Sequence, residues 1–313
     1  MKSLMIHYEY IVAVAEERSF SKAAQVLFVS QSSLSKYILQ VEKTMGVKLF
    51  DRNTVPLKIT FAGELFLEKA RQILDLERQL KQQMEDIANV NFGRITIGVS
   101  PYIGSYIMPY ILPRFYEKYP KVTVILLEKN ILELERMAYN GEIDFALTSV
   151  TANTNDFICR KIYSDEIILA TPTSISLTEV TPSIERENCD YSRSSHLPAI
   201  NMEELHDKPF IIMQEDQILN RITHQLCKRA GFSPNVILEN RSFATAHAMV
   251  TAGIGVTLLP YMFVLYLNQP NKPNYYSIAK DSPRYDMMAV YRKNSYLSAA
   301  SLEFIQLVEQ FTA

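Results

Sequence analysis

The sequence predicts an all-α winged helix-turn-helix head, a long linker helix and a larger C-terminal α/β domain, and three observations carry that division. Charge splits the chain: residues 1–60 hold eight bases and five acids, whereas the remaining 253 hold 24 bases and 29 acids. A basic head on an acidic body places any polyanionic partner at the head. The apolar spacing also changes, from three and four residues in the head to two from about position 94, which is the change from helix to strand. Between them lies one long segment with apolar residues seven apart. With 48% hydrophobic and 21% charged side chains over 313 residues, the chain has material for about two packed domains and fits neither a disordered polymer nor a rod.

In the head, Tyr8, Ile11, Val12 and Ala15 form the first helical stripe. Ser21 is expected to cap a second helix holding Ala23, Ala24 and Leu27, and Ser30 a third holding Leu34, Ile38 and Val41. Two short helices so closely joined, the first with small alanines that permit close approach, form a helix-turn-helix. Residues 47–59 lack a helical period and contain Pro56, so a short strand pair or wing is expected there. Thr60 then caps a helix reaching about position 87, in which Phe66, Ile73, Leu80 and Ile87 make the row of a helix that pairs lengthwise with another.

In the body, Ile95, Ile97 and Val99 alternate, as do Val122, Val124 and Leu126, and apolar runs at 145–147 and 167–170 suggest buried strands. Helical segments fall at about 103–119, 131–140, 219–230 and 243–252, so strand and helix alternate as in a largely parallel sheet. The polar stretch 174–195 breaks this rhythm, with Ile175, Leu177, Val180 and Ile184 as its sizeable aliphatic residues. A surface loop is the simplest account, since such insertions cost little closure entropy.

Five motifs in order resemble the LysR-type transcriptional regulators: Ser19-Phe20-Ser21-Lys22-Ala23-Ala24 with Val29-Ser30-Gln31-Ser32-Ser33-Leu34-Ser35; Gly46-Val47-Lys48-Leu49-Phe50-Asp51-Arg52; Thr60-Phe61-Ala62-Gly63-Glu64; Asn140-Gly141-Glu142-Ile143-Asp144-Phe145-Ala146-Leu147; and Ala252-Gly253-Ile254-Gly255-Val256-Thr257-Leu258-Leu259-Pro260. The resemblance spans nearly the whole chain. It implies a DNA-binding domain at 1–59, a dimerising linker helix at 60–90, and at 91–313 a two-lobed effector domain resembling type 2 periplasmic binding proteins. It also implies double-stranded promoter DNA, a small-molecule effector and a second copy of the chain, as homodimer or homotetramer, as partners.

The residues give chemistry to both sites. A helix starting at Gln31 presents Gln31, Ser32, Ser35 and Lys36 on the turns that enter a major groove. Glutamine can bond adenine bidentately, serine serves either base, and lysine reaches guanine or phosphate. Arg52 on the wing is placed for backbone or minor-groove contact, and Ser21 on the preceding helix is counted with the DNA-binding residues. The family usually carries proline at Ser32 and arginine at Lys36. In the body, Ser100 and Tyr102 follow a strand, as do Thr148 and Gln214, where ligands of such sheets collect. The family's effector cleft adds Asn130, Phe243 and Thr245 on its rim. All seven are uncharged, which suggests a polar ligand whose negative charge, if any, meets helix N-terminal amides rather than an arginine.

Enzyme readings fail. Gly98-Val99-Ser100-Pro101-Tyr102 imitates a nucleophile elbow but lacks its second glycine, and no HExxH, Walker or GxGxxG pattern occurs. His224 and Cys227 begin no metal site, having no second pair nearby, so no catalytic residue, cofactor or metal is expected. Cys159, Cys189 and Cys227 form no CxxC, consistent with a reducing compartment, although a thiol sensor would need Cys189 and Cys227 to approach within about 7 Å. No signal-peptide layout and no apolar run of ~18 residues is found, so a soluble cytoplasmic protein without membrane contact is expected.

Overall fold

The structure, a computed structural model, describes residues 6–54, 56–88, 93–149, 155–179, 197–267, 271–279 and 283–312. The head comprises α1 (Tyr8–Glu17), α2 (Phe20–Val26), α3 (Gln31–Met45) and a wing of β1 (Phe50–Asp51) paired antiparallel with β2 (Lys58–Ile59). Ile11, Val14, Ala23, Ala24, Leu34, Ile38 and Leu49 form its core. Ser21 is not the cap of α2. Ser19 takes that position, its Oγ accepting from the Lys22 amide at 3.4 Å. This earlier start brings Phe20 into the helix and sets its ring 6.0 Å from that of Phe50, edge to face. Ser30 does cap α3, accepting from the Ser33 amide at 3.2 Å.

Thr60 caps α4 (Phe61–Ala88) from outside, its Oγ1 accepting from the Gly63 amide at 3.0 Å and donating to the Lys48 carbonyl at 2.6 Å. Head and linker are thereby joined by a fixed corner. Leu67 and Ala70 are buried, whereas Leu76, Leu80 and Met84 lie exposed along the helix. The Ile87 side chain and residues 89–92 lie outside the described residues.

The body has two lobes. The first contains β3 (Gly93–Val99), α5 (Pro101–Tyr106), α6 (Met108–Lys118), β4 (Val122–Glu128), α7 (Ile131–Tyr139), β5 (Phe145–Thr148) and, at the end of the chain, α11 (Ala299–Thr312). The second contains β7 (Ala199–Ile200), β8 (Pro209–Met213), α8 (Ile218–Arg229), β9 (Asn235–Asn240), α9 (Phe243–Thr251), β10 (Thr257–Pro260), α10 (Tyr261–Leu265) and β11 (Asn274–Ile278). Two strands, β6 (Phe157–Thr171) and β12 (Arg284–Arg292), run between them. Ile97, Phe115, Phe145 and Phe304 centre one core, and Phe210, Leu226, Val250 and Phe263 the other.

The main sheet is mixed rather than largely parallel. β3 pairs parallel with β4 and β5, but β12 runs antiparallel to β5 and β6, and β6 antiparallel to β10 and β11. The chain leaves the first lobe along β6 and returns along β12, which forces opposite directions. A strand covered on both faces reads as a continuous apolar run in either direction, so the run at 167–170 could not reveal this. The expected helix at 103–119 is two helices meeting at Ile107, because Pro109 has no amide with which to continue the ladder. Of the polar stretch 174–195, Ile175 and Leu177 pack against the second core and the Thr178 amide donates to Glu204 at 2.8 Å; residues 180–195, with Val180, Ile184 and Cys189, lie outside the described residues.

The linker helix is tied to the first lobe by a buried polar cluster. The Asp75 carboxylate accepts from Arg78 at 2.9 Å, from Gln79 at 2.6 Å and from Arg292, while Arg78 also reaches Asp144 at 2.5 Å and the Gly141 carbonyl at 3.1 Å. Asp144 further accepts from the Thr96 amide at 2.6 Å. Burial opposes the charge on Arg78, but Asp144 and Asp75 outweigh it and raise its pKa. Gly141 lies against Asp75 with φ +72, so a Cβ would meet both a disfavoured backbone and the carboxylate.

Candidate functional site

On the head, Gln31, Ser32 and Lys36 are exposed on the first turns of α3, and Ser21 is exposed on α2. The wing residue Arg52 turns inward toward α3. Its guanidinium donates to Ser35 Oγ at 2.8 Å and to Glu42 Oε2 at 3.3 Å, and its Cζ lies 4.6 Å from the centre of the Phe20 ring. Glu42, buried, also accepts from the Leu49 and Phe50 amides at 2.8 and 3.2 Å. Arg52 therefore orients Ser35 and locks the wing to α3, in addition to any contact its exposed part makes. Sequence spacing carries no sign of this, because Ser35, Glu42 and Arg52 meet only through the fold of the wing.

In the body, a cavity of about 500 Å³ opens between the lobes. Ser100 and Pro101 at the start of α5, Asn130 and Ile131 at the start of α7, and Ser149 after β5 form the wall of the first lobe. Gln217, Ile218 and Arg221 at the start of α8, with Arg241 and Phe243 before and at the start of α9, form the other. Tyr285 from β12 lines it between them, its hydroxyl bonded to Ser149 and its pKa pushed up to about 12 by burial. Helix starts converge here because each helix begins where a strand ends at the cleft edge.

Of the seven sequence-derived candidates, Ser100, Asn130 and Phe243 line the cavity. Asn130 also caps α7, accepting from the Glu133 amide at 2.9 Å and donating to its carboxylate at 2.8 Å. Tyr102 stands behind the wall, its ring 5.3 Å from Phe243 and 6.3 Å from Tyr285, in a ring cluster that joins the lobes; burial raises its pKa well above the usual value. Thr148 is buried in β5 opposite Met288, and the next residue, Ser149, takes the place in the wall. Gln214 holds a turn, its amide donating to Asn240 and its carbonyl accepting from Gln217, both at 2.9 Å. Thr245 is exposed on the first turn of α9, outside the wall.

Charge is the feature that sequence reasoning missed. Lys129, Arg221, Arg241, Glu135 and Asp216 all reach the cavity, against the expectation of an uncharged wall. Lys129 and Arg241 stand directly after β4 and β9, whereas Glu135 and Arg221 lie inside helices and Asp216 in the turn before α8, where position directly after a strand does not find them. Ser242, which accepts from the Thr245 amide at 3.3 Å, caps α9 and marks Arg241 as standing at a helix start.

His224 is exposed beside buried Cys227, whose thiol burial pushes up to about 12, far from reactive thiolate. No group of three metal-ligating side chains occurs, and no helix is long and apolar enough to cross a membrane, among the described residues.

A winged helix-turn-helix on a long helix, continued into two lobes around a cavity, defines a DNA-binding regulator with an effector-binding domain. The chain belongs to the LysR family: residues 5–64 match the bacterial regulatory helix-turn-helix protein of the lysR family and residues 88–313 the LysR substrate binding domain. It is 30% identical over 305 residues to an uncharacterized HTH-type transcriptional regulator, YcgK, of Bacillus subtilis, covering 96% of this chain and 92% of that one. It is 28% identical to the DNA-binding transcriptional dual regulator OxyR of Escherichia coli, covering 97% and 93%. Among solved structures, a full-length OxyR variant from Pseudomonas aeruginosa shares the fold with a TM-score of 0.71 at 21% identity, covering 97% and 92%. CbnR, a LysR family regulator solved with its target DNA, matches at 0.66 and 20%, covering 98% of each chain.

Proposed function

We propose that the chain regulates transcription as a homodimer or homotetramer in the cytoplasm, reading a partly palindromic promoter duplex with its head and holding a small-molecule effector in its cleft. In this reading residues 1–59 bind DNA, 60–90 dimerise, and 91–313 take the effector; no reaction is catalysed. The carrying observation is the first turn of α3. Gln31, Ser32 and Lys36 are exposed there on a helix whose end is already capped from outside by Ser30, leaving their side chains for base edges and phosphates. Ser35 joins them through Arg52, and Ser21 lies on the adjoining helix.

Ser100, Asn130 and Phe243 contact the effector directly in this reading, Tyr102 and Thr148 back the wall from behind, and Gln214 and Thr245 hold the turn before α8 and the first turn of α9 at its margin. The exposed Leu76, Leu80 and Met84 suit a second copy of α4, as in a helix pair. Occupancy then acts by linkage. A ligand that favours one arrangement of the lobes biases the spacing of the heads by no more than its differential affinity.

The test uses the duplex that the full-length protein selects from a random pool. Gln31→Ala should weaken that duplex by about 10- to 100-fold while changing random DNA little, and binding of both should fall steeply with salt. A folded Gln31→Ala protein with full affinity for the selected duplex would sink the assignment.

A further inference from the structure

The cleft wall contains two buried polar atoms without partners among the described residues, one on each lobe: Ser100 Oγ and Gln217 Oε1. The glutamine is the more informative. Its Nε2 donates to the Arg241 carbonyl at 3.2 Å, which fixes the amide orientation and leaves Oε1 able only to accept. An unmatched buried acceptor is costly, and only an N–H or O–H donor can satisfy it. None of the described residues supplies that donor.

Charge gives the second half. Arg241 is neutralised by Asp216 at 2.8 Å, and Lys129 faces Glu133 at 3.9 Å, but Arg221 has no ion-pair partner among the described residues. The remaining wall is largely apolar, with Ile131, Leu132, Ile218 and Phe243, and Leu132 is 70% exposed at its edge. We propose that the cleft ligand is an amphipathic organic acid bearing a hydroxyl or amino donor: the donor goes to Gln217 Oε1, the carboxylate to Arg221, and the apolar body against Ile131, Leu132 and Phe243. This rests on the effector reading of the cleft and names the chemistry that fills it. Because Gln217 and Arg221 belong to one lobe and Ile131 and Leu132 to the other, such a ligand bridges them and favours their closer approach.

The probes are 3-phenyllactate, phenylalanine, 3-phenylpropanoate and 3-phenylpropanol. They are titrated calorimetrically against the full-length chain and by fluorescence against Leu132→Trp, since the natural sequence has no tryptophan. The expected result is that phenyllactate, phenylalanine or both bind at least tenfold more tightly than 3-phenylpropanoate, and that the alcohol binds weakest; the two acids distinguish a hydroxyl from an amino donor. Gln217→Met should erase the donor advantage while leaving 3-phenylpropanoate unchanged. Arg221→Leu should weaken every acid but not the alcohol. The ligand class is overturned if 3-phenylpropanoate binds as tightly as both donor-bearing acids, if the advantage survives Gln217→Met, or if none of the acids binds at millimolar concentration. Binding measured calorimetrically on the Leu132→Trp protein itself that leaves its tryptophan unmoved would instead overturn the cleft as the effector site.

Discussion

Two polar clusters border the first lobe of the body and are built in opposite ways. At the linker, Asp75, Arg78, Arg292 and Asp144 are held together, and each carboxylate accepts from at least two donors. At the cleft and just behind its wall, Ser100 Oγ, Thr148 Oγ1 and Gln217 Oε1 are buried with none among the described residues. At the linker both carboxylates are satisfied and Arg78 Nε alone of the cluster is buried without a partner among the described residues, so the network costs much to break, whereas the unmatched cleft atoms destabilise the empty fold and can be matched by something arriving. The first cluster is therefore read as a joint and the second as a receptor.

The contrast makes its largest prediction at the joint. Asp75→Ala leaves Arg78 and Arg292 without their shared anion, and should lower the unfolding free energy of the body by about 3–5 kcal/mol, seen as an earlier urea midpoint. A loss below about 1 kcal/mol would show that the cluster is solvated like a surface pair.

A buried carboxylate with no ion-pair partner among the described residues sharpens the comparison. Asp165 on β6 accepts from the Met262 amide at 3.0 and 3.2 Å, and burial raises its pKa from 3.8 to about 7. The folded protein thus keeps a proton that the unfolded chain has already released. Stability from this group should fall as pH rises from about 4 to about 7 and stay low above, by up to roughly 4 kcal/mol. Asp165→Asn, which keeps an acceptor for Met262, should flatten that slope in urea titrations between pH 5 and 8. A slope equal to that of the parent protein would show that Asp165 is ionised throughout.

The smallest effect belongs to the receptor side. Thr148→Val keeps the shape of a buried side chain and removes a hydroxyl that bonds to none of the described residues, so stability should be unchanged or rise by about 1 kcal/mol. Destabilisation approaching that of Asp75→Ala would end the distinction between the clusters.

Legibility in the sequence followed the range of the interactions. Ser30 before Gln31 and Thr60 before Phe61 are caps written within three residues, and both helices start where those caps place them. Ser19 and Ser21 are equally good caps on spacing alone, and only the packing of Phe20 on Phe50 chooses between them. In the cleft, Ser100 and Asn130 could be found because each follows a strand and opens a helix. Tyr285 could not, because it lies on a strand paired from the far end of the chain.

By itself the sequence determined what depends on neighbours along the chain: the helix-turn-helix, the capped linker, the change of period at the body, and the motifs that mark the family. Tertiary structure alone decided the direction of β6 and β12, the joining of Asp75 to Arg292 across 217 residues, and the meeting of Gln217 with Ser100 around one cavity. The physical reason is that periodicity and capping report local backbone geometry, whereas strand direction, buried ion pairing and unmet hydrogen bonds depend on which distant segments are brought into contact.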